Sequence, residues 1–253
     1  MEFVTVFAVI FFALGAIIAS FLGVVVDRWD TGESWLSGRS HCDSCSNELS
    51  VTELVPIASW VFLRGRCKQC GSRVSARSTI TETVLGTLFV LSYLKLGLTL
   101  SLAVFLVALS VLALIVAYDL LHTIIPGEFS ILFVLSSIIY AGISAQNISD
   151  FGVVFLVSAG LALMLVAIHF ASRGRAMGLG DAPVTFGLAL LAGSLAFSGF
   201  LYSFWVGAFV GIIILLRTPV AHRRGIEVPF APFLATGFLI AFFTGWNIFM
   251  YIV

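Results

Sequence analysis

The sequence predicts an all-α integral membrane protein, with about eight transmembrane helices and one small cytosolic insert holding a four-cysteine zinc site. Three observations predict it. Hydrophobic residues make up 60% of the 253 and charged residues only 10%, whereas soluble domains run near ~45–50% apolar and ~25% charged. Uncharged runs of membrane-crossing length recur along the chain. All four cysteines fall in one polar stretch, residues 27–80. This composition excludes a soluble enzyme and a disordered chain. Thirteen Lys+Arg balance thirteen Asp+Glu, so no net charge draws a nucleic acid.

The elements follow in order. Residues 3–26 carry no charge and exceed the ~20 apolar residues that cross a bilayer. No basic residue precedes the run and no persuasive cleavage site follows it, so it reads as a retained span rather than a signal peptide. Residues 27–80 form the insert. Residues 81–118 contain only Glu82 and Lys95 as charges. As one helix they would extend about 57 Å, too far for one crossing, so two spans are predicted with a hairpin near residues 95–100. Residues 129–145 and 151–171 give two more. Residues 182–216 are uncharged throughout and read as two short spans turning near residues 194–199. The last span covers about 230–248. The organisation is therefore 1–26 as the first helix, 27–80 as the insert and 81–253 as a seven-helix membrane core.

Eight spans put residues 27–80, 119–128, 172–181 and 217–229 on one side, and with them every Lys and Arg except Lys95. Basic loops stay cytosolic, so the insert faces the cytosol and both termini face outward. A single crossing over 182–216 would move Arg217, Arg223 and Arg224 outside, which favours two.

In the insert, Cys42, Cys45, Cys67 and Cys70 form two C-x2-C pairs. Each pair can place two thiolates on one tight turn, and two such turns complete a tetrahedral S4 site suited to zinc. Gly71 follows the second pair, as a knuckle turn wants. A module this small needs a metal or disulfide to fold, and the cytosol disfavours disulfides. Four cysteines leave no open position, so the zinc would be structural. Redox-active C-x2-C pairs are the competing reading.

Few carboxylates stand at the span ends. Asp119 ends the third span and Asp181 opens the sixth, within Gly178-Leu179-Gly180-Asp181. The topology puts both at the same cytosolic edge, where an ionisable group is a functional candidate. Two shielded carboxylates near each other do not readily both ionise, so they share a proton. One can then act as base on a water while the other acts as acid. Gly178 and Gly180 would let an extended substrate backbone approach Asp181. The same acids also suit interfacial caps at helix ends, and composition with topology leaves both readings open. Glu82 reads as structural, either capping the second span or pairing with a basic residue of the insert. Glu128 reads as a turn residue, His169 as a hydrogen-bonded packing residue, and His122 and His222 as solvated.

Five stretches carry a resemblance. They are ASFLGVVVDR at 19–28 with GES at 32–34 and RSHC at 39–42; ELVPIASW at 53–60, running through LRGRC at 63–67 to Cys70-Gly71; Asp119 with IIP at 124–126; AMGLGD at 176–181; and PFAPF at 229–233. Their order and spacing resemble the type IV prepilin peptidases, membrane aspartic proteases of the GxGD class, over nearly the whole chain. The resemblance implies that Asp119 and Asp181 are the catalytic pair. It implies a prepilin or pseudopilin substrate, cut after a Gly that ends a basic leader, at the cytosolic face of the bacterial inner membrane. Members with the tetracysteine insert typically also methylate the new N-terminus with S-adenosylmethionine. The chain departs from the family at three places. Gly23 stands where Asn is frequent, Gly127-Glu128 where Asp follows Ile-Pro, and Ala182-Pro183 where Val-Lys follows the GxGD aspartate. Two other readings compete: a membrane scaffold whose zinc knuckle docks a partner, and a transporter using the two acids as a proton relay.

Overall fold

The structure is a computed structural model that describes residues 2–217 and 228–248. His222, Arg223 and Arg224 lie outside the described residues. The chain divides into two compact units, Met1–Gly97 and Leu98–Val253.

In the first unit, α1 (Glu2–Arg28) and α3 (Arg77–Leu96) pack as an antiparallel pair. The Asp27–Arg77 ion pair at 2.7 Å closes one end, and Tyr93 stacks on Phe11 near the other, with ring centroids 5.0 Å apart. The helices cross where neither has a side chain. A Cβ on Gly15 would lie 2.8 Å from Gly86 Cα, and one on Gly86 would lie 2.9 Å from the Phe12 carbonyl oxygen. Small residues at a crossing let backbones touch, the usual means of helix association in lipid. Around it Ala16, Ala19, Leu85 and Phe89 are buried. Between α1 and α3 runs the insert, with a short α2 (Ala58–Phe62) and a 3-10 turn over Val51–Glu53. Ser50 and Glu53 close that turn reciprocally.

Glu82 lies in the second turn of α3, is buried, and pairs with no cation among the described residues. Its carboxylate accepts hydrogen bonds from the Ile57 N–H at 2.7 Å and the Ser78 hydroxyl at 2.9 Å. Its role is structural, tying the insert to α3 through one backbone and one side-chain donor.

The second unit comprises α4 (Leu100–His122), α5 (Gly127–Ser144), α6 (Ile148–Ser172), α7 (Asp181–Ala192), α8 (Ala196–Arg217) and α9 (Ala231–Thr244). Helix α3 ends at Gly97, which takes φ +64, and Thr99 caps α4 through the Leu102 N–H, so the break between the second and third predicted spans falls at residues 97–99. Helix α7 is the centre of the unit, packing against α5, α6, α8 and α9. Nearly every residue of it is buried. Gly187 admits the Phe133 ring, whose Cε1 lies 2.5 Å from where a Cβ would be. Gly199 and Gly237 give the same close fit between α8 and α9, against Phe238 and Ser203.

Each predicted apolar run forms a helix. Six stretches among the described residues are long and apolar enough to cross a membrane. The run from Asp181 is one 37-residue stretch broken at Gly193–Leu195, at the start of the expected turn, where Gly193 takes φ +59. Helices α7 and α9 are about 18 and 21 Å long, shorter than the ~30 Å hydrocarbon core. Glu128 is not in a turn but in the first turn of α5, where its charge suits the positive end of the helix.

Candidate active site

Asp119 and Asp181 come from opposite ends of their helices. Asp119 lies one turn before the end of α4, where the chain reverses through Thr123 in the left-handed region, whose N–H bonds the Asp119 carbonyl at 2.8 Å. Asp181 is the first residue of α7, with Pro183 in the same opening turn, where a missing N–H costs nothing. The two acids stand 62 positions apart in sequence. Both are buried, at 4% and 6% exposure. The chain after Asp119 packs on the turn before Asp181: a Cβ on Gly180 would lie 3.1 Å from Ile125 Cβ.

Each carboxylate uses Oδ2 to accept a backbone N–H. Asp119 takes that of Ala231, the first residue of α9, at 3.1 Å, and Asp181 takes that of Gly178 at 3.2 Å. Asp119 therefore holds the start of α9, as the capping reading expected, while Asp181 holds the loop that leads into its own helix. Capping fixes each group on a rigid element and leaves Oδ1 of each outside these bonds.

The two glycines face inward. A Cβ on Gly178 would sit 3.3 Å from Asp181 Oδ2, so the bare Cα lets the carboxylate fold back onto its own turn. The open face of Gly180 is filled by Ile125. His169, near the end of α6, bonds the Met177 carbonyl through Nδ1 at 2.8 Å and so braces the loop carrying both glycines. This matches the packing role read for it.

One group escaped the sequence. Thr185 is fully buried on α7, one turn beyond Asp181, and its hydroxyl has no hydrogen-bond partner among the described residues. A buried hydroxyl without a partner is costly. Its spacing four residues after the aspartate, which places both on one helix face, was the available signal.

The tetracysteine site lies in the first unit. The four Sγ atoms are within 4.8 Å of one another, and Cys42 and Cys70 approach to 3.9 Å. That is too long for a disulfide and close to the ~3.8 Å edge of a tetrahedron of sulfurs 2.3 Å from zinc. The two halves repeat one another. Cys42 N–H bonds Asn47 O and Cys67 N–H bonds Ser72 O, both at 2.9 Å, while Ser46 and Gly71 N–H groups return to Cys42 O and Cys67 O. Ser46 and Gly71 both adopt positive φ. The N–H groups of Ser44 and Cys45, with the Ser72 hydroxyl, hold the Cys42 thiol down to about 6. Ser72 lowers Cys70 as well. Cys45 goes the other way, to about 11: the Asn47 N–H favours its thiolate, but desolvation and the neighbouring sulfurs outweigh that. The donor set fits a bound divalent metal, which would deprotonate all four.

Comparison with known proteins places this architecture. The Bacterial Peptidase A24 N-terminal domain family matches residues 13–96. A prepilin leader peptidase/N-methyltransferase of Legionella pneumophila is 30% identical over 82% of this chain and 72% of its own. The chain belongs to this family. A further prepilin leader peptidase/N-methyltransferase, from Bacillus subtilis strain 168, is 28% identical over 93% of this chain and 94% of its own. One from Myxococcus xanthus is 32% identical over 86% and 66%. No solved structure matches. The matched N-terminal segment contains both cysteine pairs, whereas Asp119 and Asp181 lie beyond it.

Proposed function

We propose that the protein is an aspartic endopeptidase of the membrane edge, removing the basic leader of a prepilin or pseudopilin after a Gly at the cytosolic face. The observation that carries this is the convergence of Asp119 and Asp181, two buried acids on separate helices whose adjoining segments meet where Gly180 packs on Ile125. One carboxylate takes a proton from a water held between them, and the water attacks the scissile carbonyl. The other carboxylic acid gives its proton to the leaving amine. The N–H groups of Ala231 and Gly178 keep the two groups oriented. The Thr185 hydroxyl supplies a further polar contact for that water. Gly178 and Gly180 offer a substrate backbone room beside Asp181 once Ile125 withdraws.

The four thiolates of Cys42, Cys45, Cys67 and Cys70 would hold a structural zinc that fixes the insert's fold. The family name and the resemblance support a second activity, N-methylation of the new N-terminus, for which the methyl donor would be S-adenosylmethionine. No residue is assigned to that donor. The multi-pass chain would reside in the bacterial inner membrane, with insert and aspartates on the cytosolic side. Cleavage of a prepilin by the purified, reconstituted enzyme tests the reading, with the product's first residue weighed with and without S-adenosylmethionine. A scaffold would leave the prepilin intact and would lose a binding partner only when the cysteines are replaced.

A further inference from the structure

The insert carries a surface that zinc binding and proteolysis do not use. Val61 and Phe62 on α2 are 56% and 84% exposed, and Leu54 and Val55 just before them are exposed as well. The opposite side of α2 faces the second knuckle. There the Trp60 indole donates to the Val74 carbonyl at 3.2 Å, and its ring lies where a Gly65 Cβ would be. The apolar side of α2 thus has no cover among the described residues of the first unit.

Its height along α3 says what covers it. The Asp27–Arg77 pair marks the ends of α1 and α3. Beyond it along α3, a candidate membrane span, Ile80 and Val84 are exposed apolar side chains. Glu82 ties the insert to this level. Its carboxylate accepts the Ser78 hydroxyl and reaches the Ile57 N–H at the start of α2. The insert therefore folds back alongside the first two turns of a spanning helix. Ile57 adopts φ +62 and ψ −54, which a β-branched residue rarely does. The backbone N–H freed by this turn is taken up by the buried Glu82 carboxylate, as a segment held away from water requires.

Charge points the same way. Residues 54–80 contain Arg64, Arg66, Lys68, Arg73 and Arg77 and no acidic residue. Arg64 follows Phe62 by two positions, and Arg66 pairs across a short bridge with Arg73. Exposed apolar side chains next to cations are the chemistry of a segment lying in the headgroup and acyl boundary.

We propose that residues 54–63 are an interfacial membrane element. Leu54, Val55, Val61 and Phe62 enter the acyl region of the bilayer spanned by α1 and α3, and Arg64, Arg66 and Arg73 bind lipid phosphates. The occupant is anionic phospholipid, and the insert is a domain seated on the membrane.

The test uses the full-length protein in nanodiscs of phosphatidylethanolamine, with or without phosphatidylglycerol. A diazirine-bearing amino acid replaces Phe62 or, as the aqueous control, the exposed Asp43. Both sites are at the surface, so the fold is retained. After illumination, position 62 should carry phospholipid adducts and position 43 water adducts. Phosphatidylglycerol should raise the lipid yield about twofold or more, and the Arg64→Gln/Arg66→Gln/Arg73→Gln variant should abolish that rise. Water adducts at 62 matching those at 43, or crosslinks at 62 to protein alone, would overturn the proposal. Lipid adducts indifferent to phosphatidylglycerol would overturn the assignment of phosphate binding to the arginines.

Discussion

Ile125 and Gly180 meet across the two loops that carry the acids: a Cβ added to Gly180 would stand 3.1 Å from Ile125 Cβ. The contact joins the chain leaving Asp119 to the turn entering Asp181. It is a direct packing contact between the segments that hold them, and it makes the acid pair sensitive to a single methyl group.

Gly180→Ala should therefore lower prepilin cleavage, and Gly180→Val should lower it further, with each protein still inserted. Pairing Gly180→Ala with Ile125→Ala should restore part of the loss, because the two residues share one space. A coupling of about 0.5–3 kcal/mol between them is expected. Cleavage rates of the two single variants and the double variant measure it.

Thr185→Val separates stability from catalysis. Replacing a buried, unpartnered hydroxyl by a methyl removes a desolvation cost of about 1–3 kcal/mol, so thermal stability should hold or rise. If the hydroxyl serves the hydrolytic water, kcat should fall about tenfold with KM little changed. Unfolding in detergent and steady-state cleavage kinetics read the two effects separately.

Purified protein should contain about one zinc per chain, held by the four thiolates. Protons compete with the metal for each sulfur, so affinity falls as pH is lowered and zinc release should be favoured on the acid side. Cys42→Ser or Cys67→Ser should lose the metal and loosen the insert. Metal analysis with hydrogen exchange over residues 40–75 follows both changes.

The α1–α3 crossing predicts a purely structural failure. Gly86→Val places a branched side chain against the Phe12 carbonyl, where even a Cβ would be at 2.9 Å. Forced overpacking of this kind costs about 1–3 kcal/mol. A lowered unfolding temperature of the reconstituted protein, with Asp119 and Asp181 untouched, is the expected result.

The helices were legible because a lipid solvent demands long uncharged runs, and their charged or glycine-marked ends bound them. Gly97 and Thr99 end α3 and begin α4 close to where Lys95 indicated a break. The break within 182–216 was placed only broadly because no charge or proline marks it; only Gly193, in a left-handed turn, does. The cysteine cluster was legible from spacing alone, since each knuckle is local. Contacts between distant segments were not. Nothing in the sequence ties the Ala231 N–H to Asp119, 112 positions away, or the Ile57 N–H to Glu82. A backbone donor leaves no mark on residue type. Glu82 was expected either to cap its span or to find a cation; the strained turn at Ile57 whose N–H it holds leaves no mark in the sequence. Likewise, spacing in the sequence does not show that a Cβ on Gly178 would meet Asp181 or that one on Gly180 would meet Ile125.

The central claim is that Asp119 and Asp181 share one hydrolytic water. It is tested most directly by cleavage of a prepilin with Asp119→Asn and Asp181→Asn enzymes in proteoliposomes. Asn keeps the size and the oxygen that accepts the backbone N–H of Ala231 or Gly178, yet it neither gives nor takes the proton. Each variant should be folded, should retain zinc and should cut at less than about one-thousandth of the wild-type rate, given that general acid–base groups contribute ~10²–10⁴-fold. A variant that inserts normally and releases leader peptide at the wild-type rate would contradict the account.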